Sequence, residues 1–208
     1  MKRALPVFVG MVFALGAVAG TYAETPQAAA QGQGQGRGDG QGRQGRGGGR
    51  GPAAPACADL ACDVQADWAR SMRLLTTTAE AMPEDKWDFK ATPAQRTFGQ
   101  QVMHIVQVDQ KLLGGLGGKT PAPKINTGAT SKAEVLAALR QSLEYGAAVI
   151  KELNDQQLVE RVPGMFLGAS ASRLRLINFS MAHGQDIYGQ MVVYLRLNGV
   201  TPPASNPA

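Results

Sequence analysis

His104 and His183 are the only histidines in this chain of 208 residues, and each lies in a run with helical spacing. A neutral imidazole is a ligand for divalent metals and a proton acceptor near neutral pH. Two of them facing inward from different helices is how helical folds begin to build a metal site. Zinc, however, is held by at least three protein ligands in such sites. Asp186, three residues after His183, is the natural extra donor, because residues at that spacing are neighbours on a helix surface. The same carboxylate could instead orient an imidazole from behind, or face solvent. Periodicity alone favours the plainer reading, in which each histidine is a hydrogen-bonded core residue.

Cys57 and Cys62 are the only thiols. In an oxidising compartment they could pair, but within one helix they would be too far apart and badly aimed, so pairing needs Cys57 outside the helix. Their position at the edge of the folded part argues against a nucleophile activated by either histidine. The glycine runs lack the strand and helix context of a phosphate-binding loop. Glu84 and Asp85 sit in a polar connection rather than in a pair suited to acid–base work.

Four amphipathic segments must position these groups. The first spans about Asp59 to Met82, with Leu60, Val64, Trp68, Met72, Leu75 and Ala79 in register and Pro83 as the stop. The second spans about Phe98 to Leu116 and carries His104. Ser131, with Glu134 three residues on, predicts a capping box for a third helix reaching about Leu153. The fourth runs from about Ser172 to Asn198, with Gly199 as its terminator and Pro202-Pro203 beyond. On it Leu176, His183, Ile187 and Tyr194 form one stripe, so His183 lies on an apolar flank. The link from Asn154 to Ala171 leaves room for one short helical turn. The pattern predicts an all-α fold, a four-helix bundle, with no strand alternation.

The rest of the chain predicts a destination. "MKRALPVFVGMVFALGAVAGTYA" has Lys2 and Arg3, an apolar run and small residues allowing cleavage after Ala19 or Ala23. That is the layout of a secretory signal over residues 1–23, the run being short for a membrane span, with an uncleaved N-terminal anchor as the alternative; no later stretch is apolar enough to span a bilayer. No cysteine lies near the cleavage point, which points away from a lipid anchor. Residues 24–56 read as a Gly/Gln/Arg-rich tether; 11 of the 21 residues from 31 to 51 are glycine, leaving little to bury. Its arginines have no aromatic neighbours to stack on bases. Of the net charge of +5, all but about +1 belongs to the leader and the tether, so the folded part has no basic footprint for nucleic acid. The domain is expected over 57–205, with a tail at 206–208, in an exported periplasmic or extracellular protein.

"AMPEDKWDFKATPAQRTFGQQVMHIVQVD", "LLGGLGGKTP" and "HGQDIYGQMVVYLRLNGVTPP" together resemble the DinB-like (DNA-damage-inducible) superfamily. The resemblance implies a four-helix bundle of up-down-down-up type, often a homodimer, holding one divalent metal such as Zn, Ni or Mn. It implies three histidine ligands, one from the second helix and two at i,i+4 in the last. Known activities include metal-dependent thiol transfer and hydrolysis. Position by position, the ligands fall on His104, His183 and residue 187, which is Ile. Losing one of three ligands should weaken binding by several kcal/mol of the roughly 10–16 typical of structural zinc.

Two readings follow. In the first, the protein is a non-catalytic binding or interaction module with a degenerate metal site and a small-ligand cavity lined by His104, His183, Asp186, Ile187 and Tyr194. In the second, it is a metal-dependent hydrolase or transferase with His104, His183 and Asp186 as ligands. The second requires Asp186 to turn inward.

Overall fold

A computed structural model describes residues 56–206. The expected export signal, the tether as far as residue 55 and the last two positions lie outside the described residues. What is described is mostly helical, with five α-helices and one small antiparallel ribbon.

Helix α1 (Leu60–Ala81) starts at Asp59, whose side chain accepts from Cys62 N at 2.8 Å. A second carboxylate, Asp155, accepts from Leu60 N and Ala61 N at 3.3 and 2.8 Å. Both satisfy amides at the positive end of the helix that would otherwise lack partners. Cys57 and Cys62 form a disulfide with Cα atoms 5.3 Å apart, and Cys57 lies before the helix. The chain turns extended at Met82, as a residue preceding proline must.

Helix α2 (Phe98–Gly114) is opened by a reciprocal capping box between Thr97 and Gln100. Helix α3 (Lys132–Lys151) begins at Ser131 as expected, but the box there is only half made. Ser131 Oγ accepts from Glu134 N, and the Glu134 carboxylate accepts from Ser131 Oγ at 2.6 Å instead of reaching the backbone amide.

The crossover holds α4 (Asp155–Val159) and two three-residue strands, β1 (Arg161–Pro163) and β2 (Ser170–Ser172), paired antiparallel with Val162 opposite Ala171. The helical expectation holds for most of the described residues, and this ribbon is an addition that it did not include. Strands this short carry no readable alternation, and the reversal is made possible by Gly168, whose φ of 113° suits only glycine. Helix α5 (Arg173–Leu197) follows β2 directly, capped by Ser172. It ends in a Schellman motif: Gly199 at φ 72° donates to Arg196 O, and Val200 N donates to Leu195 O at 2.9 Å.

The four long helices each pack on two others, α1 and α2 both meeting α3 and α5. Lys132 at the start of α3 reaches the carbonyls of Glu80 and Met82 at the end of α1, so these two run antiparallel. Trp68 joins them midway. Its Nε1 donates to Leu143 O at 3.1 Å, and its ring lies where a Cβ on Gly146 would be, 2.1 Å from that position. Arg173, opening α5, donates to Leu116 O beyond the end of α2, so α2 and α5 are also antiparallel. The shared core includes Phe98, Leu75, Leu112, Leu139 and Ile150, all essentially inaccessible.

Candidate functional site

Because α2 and α5 run antiparallel, His104 and His183 meet across their interface. The ring centroids are 4.9 Å apart and the planes stand edge to face at 74°. Both rings are half-buried. Burial pulls the His104 imidazole below its usual range, helped by the Arg96 guanidinium and by His183 itself. Burial also lowers His183, with Arg96 adding to the effect and Asp186 opposing it. Both imidazoles are therefore neutral at pH 7, the form that can ligate. His183 Nδ1 is buried and has no hydrogen-bond partner among the described residues.

No third donor stands beside the pair among the described residues. Ile187 sits one turn after His183 and is buried, 2% exposed. Asp186 is exposed, and its Oδ2 accepts from Gln190 Nε2 at 3.1 Å. Among the described residues no group of three or more His, Cys, Asp or Glu side chains could hold a metal ion. Two imidazoles are fewer than the three donors that the resemblance implies: of His104, His183 and Asp186, the structure brings the two histidines together and leaves Asp186 facing solvent.

Of the residues expected to line a cavity, Ile187 and Tyr194 are 2% and 1% exposed and belong to the core. Tyr194 is already committed through its hydroxyl, which donates to Arg96 O at 2.8 Å.

Three polar features were not assigned from sequence. Gln101 and Gln190 bond to each other across α2 and α5 at 2.6 Å, extending through Gln190 to Asp186. Both lie in the quoted motifs "FGQQ" and "YGQ", which was the available signal. Gln101 Oε1 is left buried without a partner among the described residues. Further along the same interface, Ser180 Oγ donates to Asp109 Oδ1 at 2.5 Å. Burial raises that carboxyl from 3.8 to about 7, against the lowering effect of the Ser180 hydrogen bond. Arg96 is the third feature; its field reaches both histidines.

A family model described as the DinB family matches residues 62–207. Among solved structures, a DinB-like protein from Bacillus cereus ATCC 10987 is similar at a TM-score of 0.59 and 20% identity, covering 67% of this chain and 93% of that one. A DinB-like protein from Bacillus subtilis is similar at 0.55 and 18%, covering 70% and 96%. At these identities the likeness is one of fold. No curated protein matches the chain.

Proposed function

The chain belongs to the DinB family, and from that premise we propose that it is an exported four-helix bundle of up-down-down-up type acting as a binding or interaction module. In this reading the family's metal position has become part of the helix interface. The observation that carries it is Ile187: an aliphatic side chain, buried at the place of the third histidine, with Asp186 turned to solvent. The edge-to-face imidazole pair then serves as α2–α5 packing. The leader and tether read from sequence would carry the bundle out of the cell and give it reach. Homodimerisation is part of the same proposal.

The test is elemental analysis of the protein purified without chelators, beside a His104→Ala variant. Metal well below one equivalent, unchanged by the substitution, is the expected result. Near-stoichiometric zinc, nickel or manganese that disappears in the variant would overturn it and restore the metal-dependent hydrolase or transferase reading.

A further inference from the structure

A cleft of about 360 Å³ opens on the outer side of α2, between the 88–97 connection and the 127–130 turn. That volume lies at the lower end of the range for small-molecule sites, roughly 300–1,000 Å³. Its wall carries both Arg96 and Asp88. Neither is in an ion pair with the other or with any group among the described residues. Two opposite charges held in one cleft without pairing leave each free for a ligand group of opposite sign. Met103, 5% exposed, is the large apolar side chain in the lining.

The amides at the start of α2 do not contribute, since Phe98 N and Gly99 N already donate to Phe89 O and Trp87 O. Two carboxamides do: Gln100 Oε1 and Gln107 Nε2 are bonded within the protein, leaving Gln100 Nε2 as a donor and Gln107 Oε1 as an acceptor.

The walls are also fixed in place. Tyr194 Oη holds Arg96 O at 2.8 Å, Trp87 Nε1 holds Thr130 O at 3.1 Å, and Gln107 Nε2 holds Thr127 O at 3.4 Å. Trp87 can do this only because position 99 is glycine: a Cβ there would stand 2.3 Å from its Nε1. A cleft whose loops are tied to the helices loses little ordering entropy on binding.

We propose that this cleft binds a zwitterionic small molecule of the free amino-acid class, its carboxylate on Arg96, its ammonium on Asp88 and an apolar side chain against Met103. Arginine suits a carboxylate because its planar fork can donate two parallel hydrogen bonds. The cleft lies beside the histidine pair, and Arg96 acts on both imidazoles, but the proposal uses neither histidine.

The test is a thermal-shift screen of the full chain against the common L-amino acids, with hits measured by calorimetry. For each hit, the amine lacking the carboxylate and the acid lacking the ammonium are compared. The expected result is saturable binding of at least one apolar amino acid, with both truncated analogues weaker by about tenfold or more. Arg96→Gln and Asp88→Asn should each cause a loss of similar size, and both residues are exposed, so the unliganded melting temperature should stay put. The Met103 methyl resonance should shift on binding. No saturable binding by any amino acid would overturn the proposal, and so would binding that both variants leave intact.

Discussion

At the scale of single residues, burial decides what each ionisable group does. The Asp109 carboxyl is fully enclosed between α2 and α5, and its one charge-stabilising contact, Ser180 Oγ, does not offset the lost hydration. Raised to about 7 in the fold against an ordinary 3.8, it holds a proton in the folded state that the unfolded state releases. Stability should therefore fall as pH rises from about 4 to about 7, then level off. Asp109→Asn keeps a hydrogen-bond acceptor for Ser180 without the charge. The two lowered histidines act in the opposite sense over the same range, so the comparison is between proteins: in urea melts at pH 5 and pH 8 the variant should gain stability relative to the native chain as pH rises, and be the more stable at pH 8. The same scale shows the limit of sequence reading. Helical spacing placed His183 on an apolar flank, yet it could not decide whether Asp186 or Ile187 turned inward. That choice is one of about 100° around α5, settled by which side chain the core accepts.

At the scale of elements, the four long helices were legible because each carries a sustained 3.6-residue pattern with a recognisable end. Thr97 was missed as a cap because a polar connection precedes it, and the β1–β2 ribbon because three residues hold no period. The cleft formed by Arg96 and Asp88 was invisible for another reason: it exists only where two loops and α2 come together. Two glycines test the packing in opposite senses. Gly146→Ala forces a methyl into the Trp68 ring where α1 meets α3, and should destabilise the fold by about 1–3 kcal/mol. Gly189→Ala on α5 meets nothing within 4 Å and should stabilise it by about 0.5–1 kcal/mol through the unfolded chain and helix propensity. Denaturant melts of the two variants read both signs.

At the scale of the whole molecule, family membership fixes the expected frame and the donor set decides what this chain does within it. No helix among the described residues is long and apolar enough to cross a membrane. If the leader is processed as its sequence suggests, native mass spectrometry of protein recovered from an expressing cell's envelope or medium should give a chain starting at Gly20 or Glu24. The same spectrum should show the dimer. A chain beginning at Met1 and found only in the cytoplasm would contradict export, and a monomeric mass at micromolar concentration would contradict pairing.

In the proposed function one side chain, Ile187, separates this protein from a three-histidine metal site. Zinc titration of the native chain beside Ile187→His, followed by calorimetry, tests it most directly. The native chain should show no stoichiometric uptake at micromolar zinc, and the variant should bind one equivalent, lost again when His104→Ala is added. Tight one-to-one binding by the native chain, unchanged by Ile187→His, would contradict it.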